Sequence, residues 1–385
     1  MLLNFADLRR RARRRLPRFV FDYVDGAAED ERCLQRNLAE LERLHLWPTC
    51  LRDTARVDTG VEVFGSRWAA PIGVAPLGLN GLVRAGGDVL LARATAGAGL
   101  PFVLSTASNS RVEVVRDAVR DAGGAAAVMW FQLYVMSERG IAEQMVRRAR
   151  AAGCHALVLT VDVPVSGWRE RDVRNGFKLP WRPGIATVLD VATRPRWLLA
   201  QLRHGTPRFV NLTEGEGAAG AQAQAAMLAR TMDRSLTWES LAWLRRLWDG
   251  PLVLKGVLHP DDARRALAHG VDALVVSNHG GRQLDAAPAS IAALPPVIEA
   301  VQARIPVFVD SGIRRGSDIV KALALGARAA FVGRMPLLGL ACDGQAGAHA
   351  VLQRLREELE RTMTLIGAAD IAAIERSHVG VAPTR

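Results

Sequence analysis

Two tyrosines, Tyr23 and Tyr134, are all that 385 residues contain, and aromatic residues make up only 5% of the chain. So thin a supply argues against a surface that stacks bases on aromatic side chains. No nucleic-acid module is legible either, so no nucleic-acid partner is expected. Cysteine is scarce too. Cys33, Cys50, Cys154 and Cys342 show no CxxC or other ligand spacing, so no metal centre is expected, and unpaired thiols in a reducing compartment fit best. No run of about 18 apolar residues occurs, so no segment is expected to cross a bilayer. The arginines near the start are not followed by an apolar stretch, so no signal peptide is expected.

What the chain has in excess is positive charge, a net +11 with RRRARRR at 9–15. Such a run reads either as a solvated helix face or as attraction to anionic membrane surfaces or substrates. Short apolar runs recur eight times: PIGVA (71–75), PFVLS (101–105), VMWFQLY (128–134), ALVLTVD (156–162), PLVLKG (251–256), ALVVSNH (273–279), PVFVD (306–310) and AAFVG (329–333). Continuous hydrophobicity over such lengths suggests strands buried on both faces of a parallel sheet. Helical patterns at 86–99, 111–123, 139–153 and 261–270 lie between them, several ending in glycine. The alternation predicts an α/β fold, a (β/α)8 TIM barrel. It spans the chain as one unit (1–385), with an N-terminal helical cover over 1–65. A long insertion, 177–235, between strands four and five is too long for a plain connection; its TEGEGAAGAQAQAA (213–226) is low in complexity.

In such a barrel, reactive groups stand at the C-terminal ends of the strands. In strand order, those ends carry Ala75 and Pro76; Ser105; Gln132 and Tyr134; Thr160 and Asp162; Lys255; Ser277, His279 and Arg282; Asp310; and Gly333 with Arg334. Packing does not explain so many polar groups at one edge. His279, in SNHGGRQLD (277–285), could act as a base with Asp162 holding its ring. Arg282 offers a forked donor for a carboxylate. Arg169 could offer a second, or be a surface charge. SGIRRGSD (311–318) and VGR (332–334) are glycine turns that lead into helices. With their backbone N–H groups and arginines they read as an anion site for a phosphorylated cofactor.

The motifs SNHGGRQLD, FQLYV (131–135), DSGIRRGSDIVKALALGA (310–327) and FDYVDGAAED (21–30) resemble those of the FMN-dependent 2-hydroxy acid dehydrogenase/oxidase family over roughly residues 4–380. GLNG (78–81), PFVLSTASN (101–109), WRERD (168–172) and RPRWLLAQLRHGTP (194–207) resemble its mandelate dehydrogenase branch. The resemblance implies FMN as cofactor and oxidation of an (S)-2-hydroxy acid to the 2-keto acid, (S)-mandelate to benzoylformate, with electrons passed to a quinone. An L-lactate dehydrogenase or an oxygen-using oxidase on the same scaffold is the alternative. It implies His279 as base with Asp162 as partner, and Arg169, Arg282 and Tyr23 on the substrate carboxylate. Tyr134 would meet the substrate hydroxyl and Lys255 the flavin N1/O2 edge. Ala75, Pro76, Leu77 and Gly78 would face flavin N5. Ser105, Gln132, Thr160 and Ser277 would contact the ring or ribityl chain; Asp310, Ser311, Gly312, Arg314, Gly333 and Arg334 would hold ribityl and phosphate. Ala107 stands where glycolate oxidase has a tryptophan, which makes room for an aromatic substrate. Gly78 replaces the alanine of many oxidases, which favours a dehydrogenase.

Residues 178–210 contain Lys178, Arg182, Arg194, Arg196, Arg203 and Arg208 against one acid, Asp190, with Ile185, Val188, Leu189, Trp197, Leu198, Leu199 and Leu202 interleaved. A basic, apolar segment reads as an interfacial anchor, or as a lid over the barrel mouth. The resemblance favours the anchor, over 178–212, and so a peripheral protein on the cytoplasmic side of the inner membrane. It also implies a homotetramer.

Overall fold

The computed structural model describes residues 4–177, 184–205, 207–212 and 232–381. Strands β1 (Leu44–Leu46), β2 (Val61–Val63) and β3 (Ser66–Trp68) precede eight more: β4 (Ile72–Leu77), β5 (Phe102–Ser105), β6 (Met129–Leu133), β7 (Leu157–Thr160), β8 (Leu252–Val257), β9 (Ala273–Val276), β10 (Val307–Val309) and β11 (Ala329–Val332). These eight, each seeded by one of the apolar runs, close into a barrel in the order β4-β5-β6-β7-β8-β9-β10-β11, and every pair is parallel. A twelfth strand, β12 (Val379–Val381), returns to pair antiparallel with β1.

Side chains alternate across each strand. Leu104, Phe131, Leu159, Leu254, Val276 and Val309 point outward and join the large core formed with the helices. Val103, Trp130, Val158, Val253, Val275, Phe308 and Phe331 point inward and form a separate inner core. The β2–β3 hairpin inserts Val61, Val63 and Trp68 into that inner core, so the barrel is a packed solid and not a pore. Gly73 is required here, because a Cβ would come within 2.4 Å of the Phe331 ring. Two residues beyond the inner layer, the inward position turns polar: Ser105, Gln132, Thr160, Lys255, Ser277 and Asp310 are all buried. The inner core therefore stops one layer below the mouth, and the chemistry begins there.

The surrounding helices bury one stripe each. In Arg139–Ala151 the buried positions are Ala142, Met145, Val146 and Ala149, spaced i, i+3, i+4, i+7. The cover begins with helices Phe5–Arg15, Arg18–Asp25 and Arg32–Arg43; the second carries Tyr23. The insertion behaves differently. Its helices Ile185–Ala192 and Pro195–His204 bury no residue fully. They are tied to the cover by hydrogen bonds from Arg18 N to Asp190 and from Arg194 to Leu16 O, and to the barrel's first loop by Trp197 Nε1 to Leu82 O. The low-complexity stretch 213–226, with Lys178 and Arg182, lies outside the described residues.

Candidate active site

The cavity at the C-terminal mouth is lined by residues from every part of the chain that the sequence singled out. Tyr23, Ala75, Pro76, Leu77, Gly78, Ser105, Tyr134, Arg169, Lys255, His279, Arg282, Asp310, Ser311, Gly312, Arg314, Gly333 and Arg334 all face it. Gln132, Thr160, Asp162 and Ser277 do not line it; the buried Gln132, Thr160 and Ser277 and the half-buried Asp162 lie at or just past the strand ends around it.

Two boundaries differ from expectation: β7 stops at Thr160, two residues before Asp162, and β9 stops three residues before His279. The apolar run at 273–279 suggested a strand ending at His279, but β9 stops at Val276. His279 opens a short 3-10 turn, His279–Gly281, with φ of +59°. Gly280 and Gly281 continue in positive φ, and a Cβ at Gly281 would come within 2.7 Å of Leu34 N. The glycines thus serve a tight turn that swings the imidazole back over the mouth.

His279 Nδ1 lies 2.9 Å from Asp162 Oδ1, and Nε2 lies 3.4 Å from the Tyr134 hydroxyl. Burial pushes the Asp162 carboxyl up, but His279 and Lys255 outweigh it and hold the group below its ordinary value. Lys255 Nζ donates to Ser277 Oγ at 2.7 Å and pairs with Asp310 at 3.3 Å and Asp162 at 4.0 Å. Burial alone would lower its pKa; Asp310 and Asp162 raise it, so the ammonium stays charged. Burial, then the Asp162 charge, raises the Tyr134 phenol, which stays neutral.

Across the cavity, Arg282, Arg314 and Arg334 form no ion pair among the described residues, although Asp172, Asp25, Asp318 and Glu31 lie near enough to act on them. Arg282 donates to the carbonyls of Tyr23 (2.7 Å) and Gly26 (2.8 Å) and lies over the Tyr23 ring at 5.0 Å. Arg334 donates to the carbonyls of Val24, Gly26 and Gly280. Arg314 lies 4.2 Å over the Phe5 ring, and its Nε has no partner among the described residues. Burial, reinforced by Arg282 and Arg314, pushes Arg334 down to about 9; burial takes Arg314 down to about 10. Both remain cationic at neutral pH. Buried charge of one sign is costly unless an anion completes it.

The sequence reading of 311–318 as amide donors needs correction in part. The N–H groups of Arg314 and Arg315 are already bonded to Asp318, and that of Gly316 to Glu358. They cap their own helix, Gly316–Ala324, and are not free for a phosphate. The guanidiniums of Arg314 and Arg334 and the start of helix Arg334–Ile366 remain.

Gln132 Nε2 and Thr160 Oγ1 are buried with no partner among the described residues. Native interiors seldom leave such atoms unsatisfied. Orphaned polar atoms on the inward side of β6 and β7, a buried ammonium beside them, and guanidiniums beyond that form no ion pair among the described residues fit FMN. The first two features suit a ring with hydrogen-bonding edges, and the last suits its phosphate.

Two groups of residues escaped the sequence reading. Asp172 accepts from Arg169 Nε at 2.9 Å and so orients that arginine; the i, i+3 spacing in WRERD was the available signal. Phe177, Phe209 and Met232 add apolar side chains to the cavity lining, which also includes Ala107. Phe177 and Met232 come from the two ends of the insertion and Phe209 from its middle, where no local pattern marks them.

Comparison with known proteins identifies the family and the fold. The family profile "FMN-dependent dehydrogenase" matches residues 12–381. The chain is 44% identical over 378 residues to (S)-mandelate dehydrogenase of Pseudomonas putida, covering 98% of this chain and 94% of that one. It is 41% identical over 370 residues to an L-lactate dehydrogenase of Ectopseudomonas mendocina, covering 96% of each. The crystal structure of the monotopic membrane protein (S)-mandelate dehydrogenase superposes with a TM-score of 0.93 at 42% identity, over 99% of this chain and 100% of that one. A mandelate oxidase superposes with a TM-score of 0.83 at 36% identity, over 100% of both. The chain belongs to the FMN-dependent dehydrogenase family.

Proposed function

We propose that this chain oxidises an (S)-2-hydroxy acid bearing an aromatic side chain, (S)-mandelate to benzoylformate, and passes the electrons to a membrane quinone. The observation that carries the reading is the cavity itself. An imidazole backed by a half-buried carboxylate faces Tyr134 and two guanidiniums, Arg169 and Arg282, beside apolar lining.

Bound FMN supplies the two-electron acceptor. Arg169 and Arg282 clamp the substrate carboxylate, with Tyr23 packed against both guanidiniums, 6.0 and 5.0 Å from its ring. His279 takes a substrate proton at Nε2, because Nδ1 is committed to Asp162. Asp162 then stabilises the imidazolium. Tyr134, held neutral, donates to the substrate oxygen. Lys255 places a permanent positive charge at the barrel's polar layer, suited to negative charge arriving at the cofactor's pyrimidine edge. Phe177, Phe209 and Met232 exclude water and receive the phenyl group, and Ala107 leaves room for it.

The insertion fits attachment to a membrane surface. Ile185, Val188, Leu189, Leu199 and Leu202 are exposed on its two helices, beside Arg194, Arg196 and Arg203. No helix among the described residues is long and apolar enough to cross a bilayer, so the contact would be interfacial.

The test is the visible spectrum of the purified holoprotein under anaerobic conditions. Rapid bleaching by (S)-mandelate is expected. Bleaching by L-lactate alone would keep the family and overturn the aromatic substrate. Fast peroxide formation in air would replace the quinone with oxygen.

A further inference from the structure

Two loops carry the reacting groups. The loop after β9 holds His279 and Arg282; the loop after β7, residues 161–168, holds Asp162 and leads directly into Arg169. The second loop has little packing of its own, since Val161, Val165 and Trp168 are all exposed. Its ends are pinned by Val161 N to Lys255 O (2.9 Å) and by Glu29 N to Trp168 O (2.7 Å). Between those pins, Gln283 reaches across. Its Nε2 donates to Asp162 O (3.0 Å) and Val165 O (2.8 Å), and its Oε1 accepts from Gly167 N (3.0 Å). The two loops touch backbone to backbone: a Cβ at Gly167 would fall 2.2 Å from Arg282 O.

We propose that Gln283 is a positioning residue that locks these two loops in register. In doing so it sets both the Asp162–His279 pair and the spacing of Arg169 from Arg282. A primary amide suits the task, because one group must donate to two carbonyls and accept from one N–H. Carboxylate, hydroxyl or thioether side chains cannot do all three. The proposal rests on the roles given above to Asp162 and Arg169.

The test compares wild-type holoenzyme with Gln283→Met, which keeps length and bulk but makes none of the three bonds. The expected results are faster amide hydrogen exchange confined to 162–168 and weaker binding of benzoate, a carboxylate that cannot be oxidised. Substrate-driven flavin bleaching should slow by roughly 10- to 100-fold, the scale of an ångström-level misplacement, and KM should rise. FMN content and Tm should stay close to wild type. Unchanged exchange and unchanged benzoate affinity would overturn the proposal. So would a loss of activity that merely tracks lost FMN or a lowered Tm. Exchange needs no turnover, so a wild-type enzyme inert to every 2-hydroxy acid would refute the functional reading separately.

Discussion

His279 commits Nδ1 to Asp162 at 2.9 Å and turns Nε2 to the Tyr134 hydroxyl at 3.4 Å. The Asp162 contact fixes the tautomer, the ring orientation and the stabilisation of the cation. Asp162→Asn keeps the shape but can present its amide to Nδ1, and so favours the wrong tautomer. Flavin reduction by substrate should slow by about 10²–10⁴-fold, the usual worth of a positioned base, with FMN still bound. Stopped-flow bleaching reads this directly.

The same carboxylate makes a pH prediction. Its folded pKa lies below the ordinary 3.8 because His279 and Lys255 overcome burial. A depressed acid stabilises the fold above its unfolded pKa and loses that contribution as pH falls through the folded value. Wild-type stability should therefore drop below about pH 4, and Asp162→Asn should lose less over that interval. Urea midpoints between pH 3 and 6 test the sign.

Arg169 is oriented by Asp172 and sits across from Arg282. Arg169→Lys keeps the charge but loses the fork and the Nε bond to Asp172. With a charge-assisted hydrogen bond at about 1.5–3 kcal/mol, kcat/KM should fall roughly 10- to 100-fold, mostly through KM. A variant in which kcat alone fell would contradict the carboxylate clamp.

Thr160 offers a change whose two effects have opposite signs. Its Oγ1 is buried without a partner among the described residues, a desolvation cost of about 1–3 kcal/mol in the cofactor-free fold. Thr160→Val removes the orphan at nearly constant volume. The apoprotein should become more stable, and FMN should bind less tightly. Calorimetry of the apoprotein and an FMN titration measure the two arms. If affinity were unchanged, Thr160 would not face the cofactor.

Much of this was legible beforehand because the barrel repeats one physical pattern. A strand buried on both faces must be an apolar run, and its polar terminus breaks that run visibly, as Lys255 does in PLVLKG and Asp310 in PVFVD. What stayed hidden depends on contacts between distant segments. Nothing near Gln283 tells that its amide reaches 162–167. Nothing near Arg314 tells that Asp318 takes the adjacent N–H groups. His279 read as the end of a strand because a left-handed residue before Gly-Gly leaves no mark in hydropathy. Phe209, from the middle of the insertion, and Met232, from near its end, reach the cavity through contacts between distant segments.

Helices Ile185–Ala192 and Pro195–His204 bury nothing fully, yet they are held to the rest of the protein by polar contacts on one side. Apolar side chains left outward by a segment already anchored need a reason, and an interfacial surface supplies one. Replacing Ile185, Leu189, Leu199 and Leu202 together by glutamine removes four exposed apolar groups. At roughly 1 kcal/mol each, half the value for full burial, partition onto vesicles should fall by about 10²–10³-fold. Sedimentation with vesicles of mixed zwitterionic and anionic lipid measures this, and wild-type binding should also weaken with salt as the arginines are screened. The four side chains are not part of the cavity lining, so bleaching by a soluble substrate should persist at the wild-type rate. A variant that still sediments fully would place the membrane contact elsewhere on the chain. One that lost bleaching instead would make these helices the lid of the active site.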